Sequence, residues 1–173
     1  MGRIKDEFAP VISEKVRSLH GDIAGIYYAP DDEEQIETRL RELIKAGADL
    51  LITTGGMSVD PDDVTRFAIR KIGARNIVYG SAVLPGAMIL VSYLNNGVRS
   101  ESTRPEGQVG IDLIPVLGIP ACAMYHGATV LDLILPRILT GERIGRKELA
   151  ELGHGGLCLH CDKCRFPVCP FGK

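Results

Sequence analysis

The sequence lacks both a strong charge of either sign and any long apolar run. Its 20 Lys and Arg residues nearly balance its 22 Asp and Glu residues, and the basic residues are scattered along the chain. Because duplex-binding proteins gather basic residues into a patch, nucleic acid is not expected as a partner. No stretch approaches the roughly 20 apolar residues of a membrane span, and the first residues lack the apolar part of a secretion signal. We therefore expect a cytoplasmic protein that does not contact a membrane.

The chain also lacks internal repeats and low-complexity tracts over its 173 residues, of which 45% are hydrophobic. This length and composition are typical of one compact domain with a substantial core. Cysteine is absent from most of the chain, yet four of the five cysteines lie in the last sixteen residues. We predict an α/β domain over residues 1–145 and a cysteine-rich, metal-binding tail over residues 146–173.

Apolar residues recur at helical spacing in some segments and form short continuous runs in others. The predicted helices cover residues 4–19, 33–46, 62–72 and 128–139, and the predicted strands cover residues 23–29, 49–53, 77–84, 88–94 and 111–117. Alternating strands and helices are typical of a three-layer α/β/α domain with a mostly parallel sheet. The polar, Gly-rich segment 95–110 predicts a long hairpin connection or, alternatively, a flap over a substrate.

The stretch TTGGMSVDPDDVT, at residues 53–65, follows a buried strand and combines glycines with many side-chain oxygens. In an open α/β sheet, ligands bind beyond the carboxyl ends of the strands, where such loops lead into helices. The glycines let a ligand approach the backbone, and the free amides of a helix start favour an anion. Because aspartates would repel a phosphate without a cation between them, this interpretation includes Mg²⁺. Alternatively, Asp62 or Asp63 only caps the next helix.

Three further motifs accompany this stretch, namely PDD at residues 30–32, LPG at residues 84–86 and GIP at residues 118–120. Together they resemble the molybdopterin-binding domain shared by molybdopterin adenylyltransferases, molybdopterin molybdotransferases and gephyrin. The resemblance covers about residues 2–142. It implies molybdopterin binding in molybdenum cofactor biosynthesis, with adenylation of the pterin or insertion of molybdate. The alternative is a non-catalytic sensor module that binds molybdopterin or a nucleotide.

The resemblance also implies roles for individual residues. Asp31 and Asp63 would be catalytic and would help to position a nucleotide, Mg²⁺ or molybdate. The cofactor-binding residues would be Thr53, Thr54, Gly55, Gly56, Ser58 and Thr65. The expected partners are the small-molecule pterin, ATP, further copies of the chain in a homo-oligomer, and an N-terminal domain absent from this chain.

Two features depart from the family pattern. The family's L-P-G-N/S-P turn reads IPACAM here, so that Ala121 and Cys122 replace the glycine and the Asn or Ser. Cys122 is then either a nucleophile or, as is usual for a lone cysteine in apolar surroundings, a small core residue. Family domains also usually begin with a central strand and a T-G-D/N-E turn. We therefore expect the first strand of the sheet to be missing, or to be replaced by another segment or subunit.

The tail places four thiols within twelve positions, at Cys158, Cys161, Cys164 and Cys169. The spacing C-x₂-C-x₂-C-x₄-C-P is one residue longer in its last gap than the run that holds iron–sulfur clusters in bacterial ferredoxins. Structural zinc more often uses two C-x₂-C pairs separated by a longer loop. The spacing predicts a 4Fe–4S cluster or Zn²⁺, with unliganded or redox cysteines as the remaining alternative. His154 and His160 could substitute as ligands, and His126 could act as an acid or base, although solvated or hydrogen-bonded histidines are the simpler interpretation.

Overall fold

The computed structural model describes residues 7–56, 63–95 and 113–173. Within these ranges the chain forms five α-helices, four β-strands and a short 3₁₀ helix. In chain order they are α1 (Phe8–Ser18), α2 (Glu33–Lys45), β1 (Leu51–Thr54), α3 (Thr65–Lys71), β2 (Arg75–Tyr79), β3 (Leu90–Asn95), β4 (Leu113–Ile119), the 3₁₀ helix (Ala121–Met124), α4 (Val130–Leu139) and α5 (Arg146–Glu151). None of these helices is long and apolar enough to cross a membrane.

The four strands form one mixed sheet in the order β1-β4-β3-β2. β1 and β4 are parallel, whereas β3 is antiparallel to both β4 and β2. The α/β class is confirmed. β2 and β3 are antiparallel neighbours whose described connection, residues 80–89, contains no crossover helix. The predicted hairpin pairing of β3 with β4 is also confirmed. The flap hypothesis stays a prediction, because residues 96–112 lie outside the described residues.

Two hydrophobic cores lie on opposite faces of the sheet. In β4, Leu117 and Ile119 belong to the core that α4 and α1 cover, whereas Ile114 and Val116 belong to the core covered by α2 and α3. This division follows from the alternation of side chains along a strand. Helices therefore cover both faces of the sheet, as the predicted three-layer architecture requires.

The ends of α2 follow signals in the sequence. The Asp32 carboxylate accepts a hydrogen bond of 2.9 Å from the backbone amide of Gln35 and so caps the first turn. Gly47, the predicted cap glycine, lies just beyond the other end with a φ of 93°. Glycine adopts this left-handed conformation without strain, which allows the chain to leave the helix and enter β1.

The strand predicted over residues 23–29 is wrong. Residues 21–30 have no regular secondary structure, and Ile26, Tyr27 and Tyr28 are 49%, 45% and 68% exposed. A strand requires a neighbour that satisfies its backbone groups. No strand among the described residues pairs with this segment, so its β-prone composition is not sufficient to form one.

The C-terminal residues pack against the α/β unit. α5 was not predicted; it begins where the Gly145 amide donates a hydrogen bond of 2.8 Å to the Glu148 carboxylate, and it buries Leu149. Phe171 is only 4% exposed and lies in the same core as Leu149 and α4. The boundary between residues 145 and 146 stays a prediction, but the two parts of the chain share one hydrophobic core.

Candidate functional site

Three connections meet at the edge of the sheet where the parallel strands β1 and β4 end. The strand register aligns Thr53 with Gly118, Gly118 with Leu90, and Leu90 with Tyr79. This row crosses the sheet beside the TTGG loop that follows β1, the IPAC turn that ends β4, and the connection between β2 and β3. We call this side of the sheet the ligand edge, because ligands of open α/β sheets bind beyond the carboxyl ends of parallel strands.

The two glycines of the TTGG loop have left-handed backbones, with φ of 76° at Gly55 and 57° at Gly56. Their surroundings differ. A side chain at Gly55 would meet no atom within 4 Å, whereas one at Gly56 would collide with Thr65. The Thr65 hydroxyl donates a hydrogen bond of 3.2 Å to the Gly55 carbonyl and so closes the loop against the start of α3. Gly56 is therefore required for packing, and Gly55 leaves open backbone that a ligand can approach.

Asp63 and Arg66 carry polar atoms that are buried and have no hydrogen-bond partner among the residues that the structure describes. These atoms are Asp63 Oδ2 and Arg66 Nε. Leaving such groups unpaired costs about 1 to 3 kcal/mol each, and more when they are charged. Both side chains act on Tyr79: burial raises the pKa of its phenol, the Arg66 guanidinium opposes the shift and the Asp63 carboxylate adds to it. The half-buried side chains of Asp63 and Arg66 therefore lie close enough to Tyr79 to influence its charge.

Asp63 does not cap α3. The cap position is Val64, and no side chain makes a capping hydrogen bond there. The capping interpretation is therefore wrong for Asp63, while Asp62 lies outside the described residues. α3 itself spans only seven residues, so the side chains around the loop, more than the helix start, define the chemistry of this site.

The other residues predicted for the site fall into three groups. The Thr53 hydroxyl is used within the sheet, because it donates a hydrogen bond of 3.1 Å to the Leu117 carbonyl. Thr54 is exposed at the ligand edge, and Ser58 lies outside the described residues. Asp31 is exposed just before α2, and no hydrogen bond or ion pair connects it to the TTGG loop within the described ranges. Their assignment to the site stays a prediction.

The IPAC turn closes the ligand edge after β4. Its 3₁₀ helix begins with a hydrogen bond of 3.1 Å from the Ala123 amide to the Pro120 carbonyl. Burial raises the pKa of the Cys122 thiol above its ordinary value, which favours the protonated and less nucleophilic form. The structure therefore favours the interpretation of Cys122 as a small packing residue over that of a nucleophile.

The LPG turn is fixed against α4 at the same edge. Gly86 has a φ of 116°, and a side chain there would collide with Val130 at the start of α4. The Val130 amide donates a hydrogen bond of 3.0 Å to the Pro85 carbonyl. The start of α4 is also held from α1, since Lys15 Nζ donates hydrogen bonds of 2.5 Å to Asp132 and 3.0 Å to the Gly127 carbonyl.

The four tail cysteines differ in exposure. Cys158 and Cys169 are partly buried against the core that α4 and α1 cover, whereas Cys161 and Cys164 are exposed. Within the described ranges, no three side chains of His, Cys, Asp or Glu are arranged to hold a metal ion. The predicted metal and its Cys₄ ligand set therefore stay predictions.

Sequence reasoning did not identify Arg66 or Tyr79 as site residues. Arg66 directly follows the predicted D-V-T element, so its position was a usable signal. Tyr79 ends β2, the strand farthest from β1 in the sheet, and packs against the core that α3 covers. Nothing in the sequence alone indicates that strand order.

Comparison with known proteins gives consistent family matches. A family profile described as "probable molybdopterin binding domain" matches residues 1–140. A molybdopterin adenylyltransferase from Pyrococcus furiosus is 27% identical over 144 residues, which cover 82% of this chain and 83% of the relative. A molybdopterin molybdenumtransferase from Synechococcus elongatus is 29% identical over 90 residues, which cover 52% of this chain and 22% of the relative.

The chain spans only part of the length of several relatives. Two mycobacterial CinA-like proteins, for example, are matched over 30% and 34% of their length. Among solved structures, the tungsten cofactor synthesizing protein MoaB from Pyrococcus furiosus superposes with a TM-score of 0.56. The superposition covers 83% of this chain and 89% of that protein at 18% identity. At this identity the likeness concerns the fold alone.

Proposed function

The chain belongs to the family of molybdopterin-binding domains of molybdenum cofactor biosynthesis, and on this premise we propose that it binds molybdopterin at the ligand edge and catalyses Mg²⁺-dependent adenylation of the pterin phosphate. The observation that carries the proposal is the buried Asp63 Oδ2 without a partner in the described residues. A buried carboxylate oxygen of this kind needs a cation or a hydrogen-bond donor.

The donor set at the ligand edge fits this chemistry. A hard carboxylate oxygen is the ligand type that Mg²⁺ selects, and a bound Mg²⁺ would neutralise charge on the nucleotide phosphates. The Nε–H of Arg66 has no hydrogen-bond partner in the part of the chain that the structure describes, and guanidinium groups bind phosphate oxygens through charge-assisted hydrogen bonds. The carboxylate can therefore bind the Mg²⁺ of a nucleotide while the guanidinium binds a phosphate.

The TTGG loop would receive the pterin phosphate. Gly55 leaves open space above its backbone, and the exposed Thr54 offers a hydroxyl donor beside it. Adenylation requires that the acceptor phosphate lie in line with the nucleotide, so fixed positioning contributes more than a covalent nucleophile. The raised pKa of the Cys122 thiol agrees with a mechanism in which no cysteine attacks the substrate.

Asp63→Asn is the first test. We expect the substitution to weaken Mg²⁺-dependent ligand binding by about 1 to 3 kcal/mol, because it removes one charged contact. The fold should be retained, since asparagine keeps the shape of the side chain and removes a charge whose buried oxygen has no partner within the described ranges. Calorimetric titration with molybdopterin, with and without Mg²⁺ and a non-hydrolysable ATP analogue, measures the first effect; thermal unfolding measures the second.

Two matched variants complete this test. Asp49→Asn is the control, because Asp49 is exposed and precedes β1 at the opposite edge of the sheet, and it should bind like the parent protein. Asp31→Asn tests whether that exposed carboxylate joins the site when ligand is bound. If Asp63→Asn binds the ligand and responds to Mg²⁺ as the Asp49→Asn control does, Asp63 does not belong to the site.

Turnover separates the enzyme from the non-catalytic sensor module. Incubation with molybdopterin and Mg-ATP should yield adenylated pterin and pyrophosphate, which mass spectrometry detects. Tight binding of molybdopterin without product would support the sensor module and contradict catalysis. If the parent protein binds no molybdopterin in all of these conditions, the proposed function as a whole is contradicted.

A further inference from the structure

The cysteine-rich tail is attached to the ligand edge through its backbone. Leu157 forms a parallel bridge with Leu84 of the LPG turn. The Leu84 amide donates a hydrogen bond of 2.7 Å to the Gly156 carbonyl, and the Cys158 amide donates one of 2.8 Å to the Leu84 carbonyl. Cys158, the first cysteine of the tail, is therefore held beside the LPG turn.

Two histidines meet where the tail contacts that loop. The ring of His126, in the loop, and the ring of His160, in the tail, have centroids 4.7 Å apart and are tilted by 53°. His160 has a φ of 48°, a left-handed backbone that is uncommon for residues other than glycine. Such conformations persist where surrounding structure enforces them, and they cluster at functional sites. The tail backbone thus adopts an unfavourable conformation at the residue that brings the two imidazoles together.

Of the two exposed cysteines, Cys164 lies against the loop of His126, and Cys161 directly follows His160 in the chain. A side chain at Gly127, next to His126, would meet the Cys164 sulfur at 3.2 Å, so this thiol abuts the loop. Cys161 and Cys164 are exposed and have the C-x₂-C spacing of a metal-binding pair. Cys158 and Cys169, in contrast, pack partly buried against the core. The four cysteines therefore form two pairs. Cys161 and Cys164 are exposed, whereas Cys158 and Cys169 pack against the core.

We propose that Cys161, Cys164, His126 and His160 form a Cys₂His₂ site for a divalent transition metal of the zinc class, which fastens the tail to the loop before α4. Two thiolates and two imidazoles are a tetrahedral ligand set of the type that binds Zn²⁺. Each thiol releases a proton when it binds the metal, and no oxidant or reductant is involved. No three candidate ligands are gathered among the described residues, so this site requires the exposed thiols of Cys161 and Cys164 to rotate towards the two imidazoles when the metal binds.

The site does not depend on the proposed function, because its ligands are all outside the TTGG loop and the Asp63 cluster. The position of the metal site would connect separate parts of the chain. The loop that carries His126 connects the IPAC turn to α4, and its Gly127 carbonyl is bound by Lys15. A metal at this point would join three parts of the chain, namely the tail, the loop and, through Lys15, α1.

Metal titration of the full chain tests the proposal. Reduced, metal-free protein is titrated with Co²⁺, whose visible absorption reports tetrahedral thiolate ligation, and then with competing Zn²⁺. We expect one metal per chain, and we expect Cys161→Ser, Cys164→Ser, His126→Gln and His160→Gln each to weaken binding by about 100-fold or more. Even partners outside the ligand shell typically cost 10- to 100-fold in affinity, so a ligand should cost more.

Three control variants identify the ligand set. Cys158→Ser, Cys169→Ser and His154→Gln should bind Co²⁺ like the parent chain, because the first two thiols pack against the core and His154 is exposed elsewhere. If the two cysteine controls abolish binding while the histidine variants retain it, the ligands are the four cysteines and the proposal is overturned. Brown protein with absorption near 400 nm, roughly as expected for an iron–sulfur cluster, overturns it as well, as does absence of metal binding.

Discussion

Gly56→Val is expected to destabilise the protein by about 2 to 5 kcal/mol and to abolish binding at the TTGG loop. Two effects combine. The left-handed backbone, with a φ of 57°, disfavours side chains, typically by about 1 to 2 kcal/mol and more for a β-branched residue. The new side chain also collides with Thr65, and overpacking typically costs about 1 to 3 kcal/mol. Denaturant unfolding measures the loss of stability, and calorimetric titration with molybdopterin measures binding.

Gly55→Ala is the matched control for this prediction. Gly55 has a similar left-handed backbone, with a φ of 76°, but a methyl group there meets nothing within 4 Å. We expect only the backbone strain, about 1 to 2 kcal/mol, together with weaker ligand binding where the methyl group occupies the open space. Equal stability of the two variants would contradict the inferred collision with Thr65.

Gly86→Ala should have a comparable or larger effect on the fold, about 2 to 6 kcal/mol. A φ of 116° lies in a region that is essentially restricted to glycine, where strain costs about 1 to 3 kcal/mol. The added methyl group would also press on Val130, whose amide is bonded to the Pro85 carbonyl. Relief of the collision would displace the first turn of α4 and overpack one of the two cores. The expected result is a markedly lower midpoint of denaturant unfolding.

Gly141→Ala separates strain from collision at the other end of α4. Gly141 has a φ of 88°, and a methyl group there has no neighbour within 4 Å. Its cost should therefore be limited to backbone strain and should lie below that of Gly86→Ala. A Gly86→Ala variant that is no less stable than Gly141→Ala would contradict the inferred contact between the LPG turn and α4.

The sequence allowed the backbone conformation of the TTGG loop to be predicted from local chemistry, whereas its role as a binding site stays a prediction. A strand followed by paired glycines places flexible backbone at the end of the sheet, and the positive φ of Gly55 and Gly56 confirms that use of glycine. Asp63 was predicted as a site carboxylate, and its buried oxygen lacks a partner in the described residues. The three layers were also predictable, since apolar patterns in helices and strands specify which faces are buried.

Features that depend on strand order and register could not be predicted. The Thr53 hydroxyl bonds the Leu117 carbonyl because β1 lies parallel to β4 in one register, which no local pattern specifies. The position of Tyr79, on the strand farthest from β1 and against the core that α3 covers, likewise depends on strand order. The β-prone residues 23–29 fail as a strand because no described partner pairs with them. Local propensity identifies candidates for secondary structure, and tertiary pairing decides among them.

The bridge between Leu84 and Leu157 has a consequence for the order in which the protein is assembled. A ribosome releases the chain from its amino end, so the LPG turn emerges long before the residues that pair with it. Until then the Leu84 amide and carbonyl can bond only to water, and the half-exposed Leu84 side chain lacks its neighbour. The α/β layers can form during translation, but this side of the molecule is completed only after residue 157 has emerged and paired with Leu84.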